Sequence, residues 1–123
     1  MRVCLVLLLA PLCLSMVPNL PAQDAAKADP AHYKVLSEND QVRILKVHYG
    51  RGEKSVMHSH PDSVAVYLSN AKVKMTFSDG KTQEAEVKAG EAQFTPAATH
   101  LPQNIGTKEV EMILVELRGK GGS

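Results

Sequence analysis

From Tyr33 onward the chain alternates short apolar stretches with turn signals, and within the stretches the apolar positions recur with the period of a strand. Lys72 to Phe77 is the cleanest case: Val73, Met75 and Phe77 fall on one face, and Lys72, Lys74 and Thr76 on the other. Tyr33 to Leu36 and Val42 to Tyr49 flank a polar turn at Ser37-Glu38-Asn39-Asp40, and Gly50-Arg51-Gly52 ends that pair. Ser63 to Leu68 is apolar on both faces, as a central strand should be. Asp79-Gly80 stands between Phe77 and Thr82 to Val87, where Ala85 and Val87 share a face. An Asp-Gly pair between two such runs is a strong hairpin signal. Lys88-Ala89-Gly90-Glu91 turns the chain into Ala92 to Thr95, and Pro96 stops that strand. Val110 to Leu117 is apolar apart from Glu111 and Glu116, both read as solvated edge charges. Seven or eight short strands, with no helical period and no internal repeat, predict an all-β, antiparallel jelly-roll barrel over residues 33–118.

The first 22 residues break this pattern. Arg2 gives a positive start, Val3 to Leu14 is apolar, and Leu20-Pro21-Ala22 places a small residue before Gln23. This predicts a secretory signal at 1–22, hence export to the periplasm or outside the cell. The apolar run falls short of the roughly 20 residues that a membrane span needs. Neither Cys4 nor Cys13 follows a lipoprotein cleavage pattern, so no lipid anchor and no membrane contact is expected after cleavage. Both cysteines would be removed with the signal, leaving a mature protein without disulfide or thiolate chemistry. Residues 23–32 lack large apolar side chains and read as a flexible lead-in; 119–123 read as a loose tail.

At 123 residues and 44% hydrophobic content the chain suits one globular domain. With no Trp, two Phe and three Tyr, its core must be mainly aliphatic. It carries 14 basic and 13 acidic residues with no basic run, which argues against nucleic acid as a partner. Loss of Arg2 with the signal would balance the two at 13 each, so long-range steering of a charged partner is not expected.

The chemistry concentrates in histidines. In Gly52-Glu53-Lys54-Ser55-Val56-Met57-His58-Ser59-His60, two imidazoles one residue apart on an extended segment point to the same face. A third, His100, follows Gly90, five residues and Pro96, and precedes Asn104. Imidazole is the commonest side-chain metal ligand. No Ser-His-Asp set, phosphate-binding loop or paired-carboxylate arrangement is recognisable beside them.

These two stretches resemble the paired signature motifs of the cupin superfamily, and the resemblance spans roughly Tyr33 to Leu117. It implies a small single-domain cupin of the cupin 2 type, a double-stranded β-helix. The implied site is a divalent transition metal (iron, nickel, manganese or zinc) on His58 and His60 from one strand and His100 from across the barrel. The chain departs from the family pattern in two places. The Glu expected four or five residues after the second histidine is replaced by Val64 and Ala65. In the second motif Ala98 stands for a Gly, and His100 follows Pro96 by four residues instead of five. Asp62, out of step with the Glu position, is assigned to a Pro61-Asp62 turn.

A three-histidine set without carboxylate is similar to that of some cupin dioxygenases. The resemblance therefore implies a metal-dependent dioxygenase acting on a small organic molecule, with an isomerase or lyase behind it. The competing reading is a non-catalytic module that binds metal or a small ligand. Tyr67 and Gln93, on strands expected to line the barrel, are candidate hydrogen-bond donors to the metal ligands or contacts to a bound molecule, against a plain core role for Tyr67 and a surface role for Gln93. Met57, Met75, Phe77 and Phe94 would form an apolar wall, Asn104 would hold a turn, and His32 and His48 read as surface histidines. A homodimer paired through edge strands is the expected assembly.

Overall fold

The computed structural model describes residues 23–119. The expected signal at 1–22, both cysteines and residues 120–123 lie outside the described residues. Among the described residues, nine strands follow a short helix, α1 (Ala25–Ala28). They are β1 (Tyr33–Glu38), β2 (Val42–Tyr49), β3 (His58–His60), β4 (Ser63–Tyr67), β5 (Ala71–Phe77), β6 (Thr82–Val87), β7 (Ala92–Thr95), β8 (Ala98–Asn104) and β9 (Val110–Leu117). Five form one sheet in the order β1-β2-β9-β4-β7, and four form the second in the order β3-β8-β5-β6. Every pairing between named strands is antiparallel. The expected jelly roll is the architecture found.

Period two decides what faces inward. On β2 the buried positions are Leu45, Val47 and Tyr49, and they lie opposite Leu114, Met112 and Val110 of β9. Burying Leu45 and Val47 contributes about 1.5–3 kcal/mol each. On β5 the inward set is Val73, Met75 and Phe77, as the alternation requires. The β5–β6 hairpin closes at Gly80, whose φ of 84° supplies the left-handed residue of the turn, and Gly80 N–H donates to Phe77 O at 2.9 Å.

Two segments depart from expectation. The stretch after Pro96 forms a full strand, β8, despite Pro102 within it. Pairing with β3 ends at His100, and the Pro102 carbonyl accepts from Ser55 N–H at 2.9 Å beyond that end. The missing N–H of Pro102 therefore interrupts no ladder. The segment read as a loose lead-in carries α1. Asp24 caps it, its Oδ1 accepting from Ala26 N–H at 3.0 Å, while Ala25 is fully buried and Ser59 N–H donates to Gln23 O at 2.9 Å. A helix of one turn has no period to read, and this one is held by a cap and by contact with β3.

Candidate metal centre

Gly52, at φ 73°, turns the chain out of the β2 end and toward β3. There His58 and His60 both point inward and are buried. β3 pairs with β8 in a register that sets His58 directly opposite His100. The third histidine thus comes from the adjacent strand and not from across the barrel, because the turn after Pro96 is short enough to bring β8 back beside β3. One ring nitrogen from each of His58, His60 and His100 lies within 4.8 Å of the other two.

The distal nitrogens show how two of the rings are set. His58 Nδ1 lies 2.8 Å from Val56 O, a group that only accepts, so the ring carries its proton there. His60 Nδ1 lies 2.8 Å from Glu116 Oε2, and a carboxylate likewise accepts. With those protons placed, the two Nε2 atoms meet bare at 2.9 Å. Two lone pairs at that distance repel unless a proton or a cation lies between them. Two nitrogens each about 2.1 Å from one ion and at right angles to each other stand about 3.0 Å apart, so the donor set fits a metal. Burial first, and the neighbouring His60 second, lower His58 to about 4; burial, His60 and His58 lower His100 to about 3. Both rings are neutral near pH 7, as ligands must be.

Glu116 is not a solvated edge charge. It is 1% exposed, and its Oε1 accepts from Arg43 Nε at 2.6 Å. Arg43 faces Glu116 across the β2–β9 ladder and also pairs with Asp24, the residue that caps α1. Glu111, by contrast, sits half-buried beside Lys46 at 3.7 Å. A carboxylate does enter the site, but it comes from β9 and holds the back of His60; Ala65 occupies the inner face of β4 where the motif Glu is missing.

A second chain of contacts lies behind His58. Ser55 Oγ is 3.1 Å from His58 Nδ1 and donates to Asp29 Oδ2 at 2.5 Å. The same carboxylate oxygen meets His32 Nδ1 at 2.7 Å, and His32 Nε2 meets Glu53 Oε2 at 2.8 Å. His32 also stacks on Tyr49 with ring centres 4.4 Å apart. It is therefore no loose surface histidine. Burial alone would lower its pKa, but the Asp29 and Glu53 carboxylates carry it above its ordinary value. His48 is half-buried, with its side chain reaching the surface 3.5 Å from Glu109. Asn104 holds turns, donating to Gly50 O at 3.0 Å and Lys108 O at 2.7 Å while accepting from Gly106 N–H. Asp62 ties two turns together by accepting from Ala97 N–H at 2.8 Å.

His60 and His100 open onto a cavity of about 350 Å³ between the sheets. Tyr67 and Gln93 both line it, the first buried and the second at the exposed β7 edge. Met75, Phe77 and Phe94 belong to its wall, but Met57 does not. Sequence reasoning missed Arg43, Glu116, Asp29 and Ser55. For the first two a signal existed: Glu116 shares the inward parity of Val110, Met112 and Leu114, and Arg43 that of Leu45, Val47 and Tyr49.

No family model and no curated protein matches the sequence. Solved structures do. A cupin domain from Bordetella pertussis Tohama I superposes with a TM-score of 0.65 at 18% identity, covering 71% of this chain and 92% of that one. An RmlC-like cupin family protein with a double-stranded β-helix fold, from Methanocaldococcus jannaschii, gives 0.57 at 21% identity, covering 69% and 77%. A conserved protein with a double-stranded β-helix domain from Klebsiella pneumoniae gives 0.57 at 20%, covering 73% and 78%. The fold is a small cupin-type double-stranded β-helix.

Proposed function

We propose that this protein holds a divalent transition metal on His58, His60 and His100 and presents it to a small organic molecule in the cavity between the sheets. The observation that carries the reading is the pair of bare Nε2 atoms at 2.9 Å, each ring fixed by an acceptor at its far nitrogen, with His100 converging on them. A bound ion supplies Lewis acidity and open positions for oxygen ligands. The chain's residues do the rest: His60 and His100 face the cavity, Val56 O and Glu116 keep the rings in the ligating tautomer, and the apolar walls exclude water.

Among the described residues no Asp, Glu, Lys or Arg lines the cavity. Burial pushes the Tyr49 phenol up to about 12 and Tyr33 well above its ordinary value, so both remain protonated. With the histidines used as ligands, the wall offers no side-chain base. That favours dioxygenase chemistry, for which a bound ion would supply the reactivity without a side-chain base, over an isomerase or lyase that needs a proton acceptor. The same lack of a base favours the second reading, a binding module without turnover.

Elemental analysis of protein purified from its native compartment should find iron, manganese, nickel or zinc near one ion per chain. Metal-free protein titrated with zinc should bind it, and the absence of both would end the reading. If iron is present, anaerobic ferrous protein should give a paramagnetic adduct with nitric oxide; bound iron without an adduct would favour the module. The reading places the protein outside the cytoplasm, with residues 1–22 as a cleaved signal, and N-terminal sequencing should start at or near Gln23. Pairing into a homodimer through the β1, β3, β6 or β7 edges belongs to the same reading, and sedimentation equilibrium measures it.

A further inference from the structure

We infer that the ligand of this cavity is a compact amphiphile: a single oxygen-chelating head carrying at most one negative charge, on an apolar and preferably aromatic body. This deepens the proposed function by naming a substrate class, and it rests on the metal reading for the head but not for the body.

The body follows from the walls. Val47, Val73, Met75, Phe77, Met112 and Leu114 make them mainly apolar, and apart from the His60 and His100 imidazoles the polar side chains among the remainder are amides, phenols and one hydroxyl. A second carboxylate or a phosphate on the ligand would be taken out of water with no side-chain cation in the wall to meet it, and its desolvation would go uncompensated. Arg43, which shares Glu116 with His60, is engaged by Glu116 and Asp24 and is not part of the wall. Sugar phosphates and di- or tricarboxylates are thereby disfavoured. The volume sets the size. A cavity of about 150 Å³ takes benzene, so 350 Å³ suits a ligand of roughly ten to fifteen non-hydrogen atoms.

The head follows from the donors. Three neutral imidazoles leave a divalent ion with its whole charge facing the cavity, so an anionic or strongly dipolar oxygen pair is favoured at that end. The amides of Gln83, Gln93 and Gln103 stand among the lining groups and give hydrogen bonds without charge.

Cobalt(II) loaded into the metal-free protein makes the site visible by its absorption bands. Titration with benzohydroxamate, acetohydroxamate and citrate then separates head from body, since the first two share one chelating group. Benzohydroxamate should bind at least tenfold more tightly than acetohydroxamate, and citrate should bind more weakly than either. Val73→Phe, which narrows the cavity from β5 at a position paired with Asn104, four residues along β8 from His100, should remove most of the benzohydroxamate advantage while leaving acetohydroxamate within about threefold. Equal affinity for the two hydroxamates in the wild-type protein, or preference for citrate, would overturn the inference whatever the variant does. Ligand-observed NMR with 4-methylphenol on metal-free protein keeps the two readings apart. Cobalt that fails to bind while 4-methylphenol still occupies the cavity would sink the metal site and leave the apolar body standing. Cobalt bound without discrimination between the hydroxamates would do the reverse.

Discussion

His58 and His60 reach the site from one strand as ends of two hydrogen-bonded chains, whereas His100 reaches it from the neighbouring strand with no hydrogen bond to its ring among the described residues. The first two are backed by Val56 O, Ser55 and Asp29 on one side and by Glu116, Arg43 and Asp24 on the other. His100 is backed by an apolar contact, Phe77, at 6.4 Å between ring centres. A tethered imidazole presents its lone pair in one direction before any ion arrives; an untethered one can turn to follow the ion. The site therefore combines a fixed edge with an adjustable third ligand, and the two regions should respond differently to the same insult.

The largest contrast is expected from His60→Ala against His100→Ala. Each should weaken metal binding by more than the roughly 10–100-fold that changes in supporting residues cost, as measured by zinc titration. Their stabilities should diverge. Removing His60 leaves the Glu116 carboxylate buried without one of its partners, at about 1–3 kcal/mol. For a domain of this size each kcal/mol lowers Tm by roughly 4–8 °C. Removing His100 strands no buried polar partner, so metal-free His100→Ala should melt measurably closer to wild type. Equal losses of Tm would show that the tethers on β3 do not distinguish the two sides.

Next in size is Glu116→Gln, which keeps the shape of the side chain and removes its charge. Metal affinity should fall about 10–100-fold, while the same measurement on Glu111→Gln should show little change. That these two acidic residues on one strand differ so much was legible in part. Parity along β9 put Glu116 inward, yet its partners lie 56 and 73 residues away in sequence, and no local pattern announces them. The strands themselves were legible, because alternation is local: Val73, Met75 and Phe77 face inward as their spacing demands. The His58–His60 pair was legible for the same reason. The placement of His100 beside His58 was not, since it depends on how the chain returns from β7 to β8, and a strand containing Pro102 does not look like one. His32 was misread because Glu53 and the Tyr49 ring reach it only through packing, and Asp29, three residues back, stood in a segment read as a loose lead-in.

The two regions also carry opposite pH signatures in the metal-free protein. His58 and His100 titrate at about 4 and 3 when folded, against an ordinary value near 6.5. Between pH 6.5 and those values the unfolded chain takes up protons that the folded chain refuses, so stability falls as pH drops through that window. His32 is raised instead, so its contribution is full below its ordinary value and is lost as pH rises through the folded one. Thermal melts from pH 4 to 8 should accordingly show a shallower acid-side decline for His100→Ala than for wild type. His32→Gln should reduce stability most at the acid end and least near pH 8. An unchanged acid slope in His100→Ala would mean that its ring is less shielded from water than its setting between β3 and β5 implies.

The smallest effect on the site, and the sharpest check on the untethered side, comes from Gly80→Val. Gly80 holds φ 84°, which a β-branched residue adopts only at a cost of about 1–3 kcal/mol, and a Cβ there meets no other atom, so backbone conformation alone is perturbed. Tm should fall accordingly. Phe77 lies three residues before this turn and stands opposite His100 in the β5–β8 register, so the hairpin is joined to an apolar side chain that backs the adjustable ligand. If an apolar contact merely fills space beside a ligand that follows the ion, zinc affinity should remain within about twofold of wild type. Should affinity drop tenfold in a variant that still folds, Phe77 would be aiming His100 as firmly as Glu116 aims His60, and the distinction between a fixed edge and an adjustable ligand would fail.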